Sequence, residues 1–206
     1  MLDQLIIEFD RGMRTLFAPA TSARAHPDEG LPEADLSDAE RQHALGLMRV
    51  NHCGEVCAQA LYQGQALTAR DPIAKEALQQ AAFEEVEHLA WTERRIRELG
   101  GRPSIFNPLW YTGSLALGVA AGVLGDKWNL GFLEETEHQV GAHLDSHLKE
   151  LPEQDQKSRV IVEKMRDDEL KHADMAHEYG AAKLPFPFRG LMKLTSKVMT
   201  CTSYRA

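Results

Sequence analysis

The chain has 206 residues, 26% of them charged, a formal net charge of −8 and 7% aromatics. That length fits one domain with a single core. The acidic balance argues against a nucleic-acid partner, and three cysteines do not make a disulfide framework. Ala, Leu, Glu and Gln are plentiful and strand-type alternation is scarce, which predicts an all-α protein.

Residues 2–17 read as a short helix with Leu2, Leu5, Ile6 and Phe9 on one face. The segment Met1 to Arg14 is acidic and amphipathic, so no signal peptide is expected. Residues 18–35, rich in Pro, Ala and acidic groups, read as a linker. Ser37 with Glu40 is a capping box. It opens a first core helix that runs to about Arg70 and carries Glu55. Asp71-Pro72 reads as N-cap and first-turn proline of a second helix. That helix carries Glu85 and His88 and stops at Gly100-Gly101. No charged residue lies between Arg102 and Asp126. This apolar run is short for a membrane span, which needs about 20 residues. It reads as a buried crossover helix, or as one that faces lipid or encloses a substrate. A third core helix from about Asp126 to Glu150 carries Glu137, and a fourth from about Gln154 to Ala182 carries Glu169 and His172. From Tyr179 to Ala206 there are five basic residues and no acidic ones, with Leu191, Met192, Leu194, Val198 and Met199 on an apolar side. In an acidic protein this reads as an interfacial helix that meets anionic lipid, or as a helix packed on the bundle with a solvated basic side. The chain divides accordingly into an N-terminal helix and linker (1–36), a bundle (37–182, with crossover 103–125) and a basic C-terminal helix (183–206).

Six residues follow one pattern: Glu55, Glu85-x-x-His88, Glu137, Glu169-x-x-His172. Positions i and i+3 share a helix face, so each Glu-x-x-His aims a carboxylate and an imidazole at one point. Glu55 and Glu85 are 30 residues apart, Glu137 and Glu169 are 32 apart, so the halves look like a duplicated helical hairpin. A single Glu-x-x-His is commonplace and would read as a solvated helix face. Two copies in register, each preceded by a helix with a Glu at matched distance, are the ligand set of a ferritin-like four-helix bundle with a di-metal centre and one long crossover. Four carboxylates balance two divalent ions, which lets the cluster be buried. Oxygen-rich ligation with one imidazole per metal suits iron or manganese, and the lack of thiolates argues against structural zinc. Glu85 and Glu169 are taken as the bridges, with Glu55 and Glu137 terminal, although spacing along the chain does not decide which carboxylates bridge. Glu84 and Asp168 are candidates to accept a hydrogen bond from a ligand His on the opposite helix. His52, one turn before Glu55, is expected behind the ligands or in the core. Gly54 is expected to permit close helix contact, and Cys53 and Cys57 to be packing residues. Trp110 and Tyr111 are candidates to line a substrate entrance.

The string Arg49-Val50-Asn51-His52-x-Gly54-Glu55 resembles the first ligand helix of the demethoxyubiquinone hydroxylases, membrane-associated di-iron monooxygenases of ubiquinone biosynthesis. The resemblance extends through Glu85-x-x-His88, Glu137 and Arg166-Asp167-Asp168-Glu169-x-x-His172, and covers roughly residues 37–206. It implies two iron ions cycling between Fe2+ and Fe3+, and hydroxylation of a polyprenylated methoxy-methyl-benzoquinol with O2. It also implies peripheral attachment to the cytoplasmic face of the inner or cell membrane, with other quinone-biosynthesis proteins as partners. His143 matches the family pattern, but Leu144 follows it where the family often has a Tyr, so that tyrosine's role does not carry over. The competing reading is a ferritin-like protein that oxidises iron or scavenges peroxide, which would need neither the apolar segment nor the basic tail.

Overall fold

The computed structural model describes residues 2–206, without the side chains of Leu2, Gln4 and Leu5. The expected roles of Leu2 and Leu5 therefore lie outside the described side chains. Among the described residues there are seven helices and no strand: α1 (Leu2–Phe17), α2 (Asp38–Thr68), α3 (Pro72–Glu98), α4 (Asn107–Val123), α5 (Asp126–Glu150), α6 (Gln156–Glu178) and α7 (Phe186–Ser203). The hairpins α2/α3 and α5/α6 form the four-helix bundle, and α4 crosses between them along α2.

Local chemistry sets most of the boundaries. Ser37 and Glu40 close a reciprocal capping box on α2. Asp71 caps α3 by accepting from the Ile73 N–H at 2.9 Å, with Pro72 in the first turn. Gly100, at φ 82°, ends that helix in a conformation that disfavours residues with a Cβ. The last bundle helix starts two residues later than expected, because Asp155 is its cap and accepts from the Ser158 N–H at 3.1 Å.

The crossover is pressed onto α2 through small residues. A Cβ on Gly118 would strike the Leu61 carbonyl, and one on Gly64 would strike the Leu115 carbonyl. The two backbones therefore touch, as close helix pairs with glycine interfaces do. The opposite face of α4 carries exposed Leu109, Leu117 and Val123. One face of α4 is therefore buried on the bundle, and the other is apolar and open. No helix among the described residues is long and apolar enough to cross a membrane. In α7, Leu191, Leu194 and Val198 point outward, while Met192 and Met199 turn toward the bundle.

The stretch read as a linker is tied down along its length. Ala20 N–H donates to Glu93 at 3.0 Å, and the N–H groups of Ala23 and Arg24 donate to Glu87 at 3.0 and 3.2 Å. Farther on, Glu33 grips the fully buried Arg95 through two 2.8 Å bonds. Arg95 also reaches Glu98, the Ser158 hydroxyl and the capping carboxylate Asp155. One guanidinium thus locks the end of α3 to the start of α6, and its charge is fully paired, as burial requires.

Candidate metal centre

Glu55 on α2, Glu85 and His88 on α3, Glu137 on α5, and Glu169 and His172 on α6 converge in the middle of the bundle, all buried. They form two groups able to hold a metal ion: Glu55, Glu85, His88 and Glu169, and Glu85, Glu137, Glu169 and His172. Within each group the candidate donor atoms lie within 4.8 Å of one another. Glu85 and Glu169 belong to both.

Each imidazole presents Nδ1 to this focus. His88 Nδ1 is 3.2 Å from Glu85 and 3.3 Å from Glu169. His172 Nδ1 is 3.5 Å from both Glu137 and Glu169. Each Nε2 faces outward to a carboxylate: His172 Nε2 is 3.0 Å from Glu84, and His88 Nε2 is 3.5 Å from Asp168. The His172 Nε2–Glu84 hydrogen bond leaves Nδ1 of that ring with its lone pair free for a metal, and the Asp168 carboxylate beside His88 Nε2, though too far for a hydrogen bond, favours the same tautomer there.

Several inward atoms have no hydrogen-bond partner: Glu85 Oε1, Glu137 Oε2, both oxygens of Glu169 and Nδ1 of His172. Orphaned buried acceptors are costly unless something supplies positive charge. Without a metal the cluster must use protons instead. Burial first, then the neighbouring Glu169 and Glu55 charges, pushes Glu85 well above the usual carboxylate range. Burial and Glu169 do the same to Glu137. Burial opposes charge on His88 and His172, but the surrounding carboxylates outweigh it and hold both imidazoles well above their ordinary value. Glu169 is held low by His172 and His88 against its own burial. Four buried carboxylates and two imidazoles with open donor atoms fit a pair of divalent ions.

The other expected residues fall in different places. Asp168 is buried and receives Arg24 at 2.9 Å, Lys164 at 2.6 Å and Lys171 at 3.0 Å. His143 lines the same cavity as Glu55 and sits edge-on to His147, ring centroids 4.0 Å apart. His52 belongs to neither metal-competent group. Its Nδ1 meets Asn107 of α4 at 3.4 Å, and burial followed by the Arg97 charge lowers it to about 4. Gly54 does not mediate helix contact: a Cβ there would meet nothing within 4 Å. It borders empty space instead, and the glycines that bring helices together are Gly64 and Gly118.

Sequence reasoning missed Tyr62. Its hydroxyl donates to Glu137 at 2.5 Å, and the ring is fully buried. The available signal was its position seven residues after Glu55, two turns along the same helix face.

A cavity of about 240 Å³ lies between α2, α4, α5 and α7, with Glu55 in its wall. Val50, Leu61, Leu117, Val140, Met192 and Met199 make it mainly apolar, and Trp110 is part of its wall. A second cavity of about 400 Å³ lies between α1, α2 and α3 and is lined by Gln59, Tyr62 and Gln63. Tyr111 belongs to neither lining; its hydroxyl donates to Gln63.

Fold and site together define a ferritin-like, carboxylate-rich helical bundle with buried Glu/His clusters able to bind metal. Residues 42–203 match the family described as ubiquinone biosynthesis protein COQ7, and the chain belongs to that family. It is 78% identical over the full length of both chains to a 3-demethoxyubiquinol 3-hydroxylase of Chromobacterium violaceum. It is 71% identical to the enzyme of that name from Laribacter hongkongensis, with 99% of each chain covered. The corresponding protein of Dechloromonas aromatica is 64% identical, with 98% of each chain covered.

Proposed function

We infer that this chain is a 3-demethoxyubiquinol 3-hydroxylase of ubiquinone biosynthesis, acting as a di-iron monooxygenase on a polyprenylated benzoquinol. The observation that carries the reading is spatial. An apolar cavity has Glu55 in its wall, and Glu55 is one of the six buried side chains that make up the two metal-competent groups. An iron-storing or peroxide-scavenging bundle has no use for such a cavity.

Glu55, Glu85 and His88 would hold one iron and Glu137 and His172 the other, with Glu85 and Glu169 bridging, since these two belong to both groups. Iron fits better than zinc because the donors are oxygen-rich and lack thiolate. The bound pair supplies the electron transfer that activates O2. The protein's own part is positioning and exclusion. Asp168 and Glu84 fix the two imidazoles, and Tyr62 orients Glu137. The walls of the cavity hold the quinol ring near Glu55 and keep bulk water out.

The isoprenoid tail sets the route of entry. The cavity lies between α4 and α7, and the outer faces of these helices carry exposed Leu109, Leu117, Leu191, Leu194 and Val198. Arg189, Lys193 and Lys197 accompany the apolar residues of α7. This combination suits a helix lying in the interface of an anionic membrane. Residues 183–206 would then attach the protein peripherally and let the substrate pass from the bilayer to Glu55.

Deleting the gene and profiling the quinones of the strain tests the activity. Accumulation of the demethoxy precursor, reversed by the intact gene and not by a Glu169→Ala copy, is expected. A normal quinone pool with altered iron stores would instead favour the iron-handling reading.

A further inference from the structure

We propose that Arg24, in the segment between α1 and α2, is a positioning residue for the His88 half of the metal centre. The proposal rests on the di-metal reading above. Arg24 is far from the ligand motif in sequence, yet it bridges the two supports of one imidazole. Its Nη2 donates to Asp168 at 2.9 Å, and that carboxylate faces His88 Nε2 at 3.5 Å. Its guanidinium carbon also lies 4.8 Å from the centre of the Trp91 ring. Trp91 in turn packs against His88, ring centroids 5.3 Å apart. The imidazole is thus flanked by a carboxylate and an indole that the same arginine holds.

Arg24 is itself anchored. Its backbone N–H donates to Glu87 on α3 at 3.2 Å, as does the Ala23 N–H at 3.0 Å. The neighbouring Ser22 hydroxyl bonds to Glu87 and accepts the Trp91 indole N–H at 3.2 Å. The strap therefore fastens to α3 and extends one planar fork to α6. Such a fork keeps stacking and ion pairing in a single geometry, which lysine cannot reproduce.

The other half of the centre is built differently. Glu84, which faces His172, has Gln80 as its other side-chain partner at 2.7 Å, and no cation bonds to it among the described residues. The two metals consequently have unequal supports. Asp168 shares its charge among Arg24, Lys164 and Lys171, and Glu84 keeps its charge for His172. Disturbing Arg24 should therefore loosen one metal and leave the other. Partners that orient a ligand histidine typically change metal affinity about 10- to 100-fold.

The test is an anaerobic titration of the full chain with ferrous iron, followed by Mössbauer spectra of the 57Fe-loaded protein. In Arg24→Ala, one of the two irons should bind about tenfold or more weakly and its quadrupole doublet should change, with the second iron unaffected. Arg24→Lys should recover part of the loss. Asp168→Asn should give the same one-iron signature, and combining it with Arg24→Ala should add little. Glu84→Gln should perturb the other doublet. If Arg24→Ala does not fold, Arg24→Lys and Asp168→Asn carry the comparison. Equal weakening of both irons, or no change in either, would overturn the assignment of Arg24. Failure of the unaltered protein to bind two irons would instead overturn the di-metal reading.

Discussion

Tyr62 on α2 donates its hydroxyl to Glu137 on α5, joining the two hairpins of the bundle directly beside the convergent carboxylates. The bond is fully buried, so neither group has water as a substitute. Tyr62→Phe should cost the metal-free protein about 1–3 kcal/mol, the usual penalty for orphaning a buried polar group. Equilibrium denaturation in urea, in the presence of a chelator, measures it. An unchanged midpoint would mean that the bond contributes nothing.

Metal binding should release protons and strengthen as pH rises. In the metal-free protein Glu85 and Glu137 sit well above the ordinary carboxylate value, and the two imidazoles sit well above theirs. All four are raised, so at these four positions the folded chain binds more protons than the unfolded one. Their contribution to stability is complete below the unfolded values, about 4.5 for Glu and about 6.5 for His. It falls as pH climbs through the folded values. The apo protein should thus lose stability from about pH 4.5 upward through neutrality, as far as these groups decide it. Calorimetric titration with ferrous iron in buffers of different ionisation enthalpy reads the protons directly. Zero net release at pH 7 would contradict the assignment.

Removing a shared carboxylate should be more damaging than removing a terminal one. Glu169 belongs to both metal-competent groups, whereas Glu55 belongs to one. Glu169→Ala should abolish binding of both irons, and Glu55→Ala should weaken chiefly one. His88→Ala should also lose metal, on its own side of the centre. Iron content after desalting distinguishes these outcomes, and full iron in both Glu169→Ala and His88→Ala would refute the site.

Gly54 offers a way to separate cavity from fold. It sits in the middle of α2 with nothing within 4 Å of a would-be Cβ, and it borders the cavity that reaches Glu55. Gly54→Ala should stabilise the protein by about 1 kcal/mol through helix propensity. Gly54→Leu should fold and keep its metals but project into the cavity and lower turnover of the quinol at least tenfold. Unimpaired turnover in Gly54→Leu would place the substrate elsewhere.

The exposed face of α7 should govern attachment to lipid. Replacing Leu191 and Leu194 by Ser removes two outward apolar side chains and leaves Met192 and Met199 in the cavity wall. Flotation with vesicles containing anionic lipid should show reduced binding of the double variant, and binding of the parent should weaken with salt. Equal flotation of both proteins would remove α7 from the interface.

The helices and their ends were legible along the chain because they depend on neighbours in sequence. A capping box, an Asp-Pro start and a glycine stop each act within one turn. The spacing of three residues put Glu85 with His88, and Glu169 with His172, on common faces before any packing was considered. Packing alone revealed that Glu85 and Glu169 are shared by both groups, that Tyr62 reaches Glu137, and that His52 turns to Asn107 instead. It also turned a proline- and acid-rich stretch into a strap through Glu87, Asp168 and the buried Arg95. Local periodicity fixes which face a side chain occupies. The partner across that face depends on how far helices distant in sequence rotate and approach, and here contacts such as Gly118 against the Leu61 carbonyl set that approach.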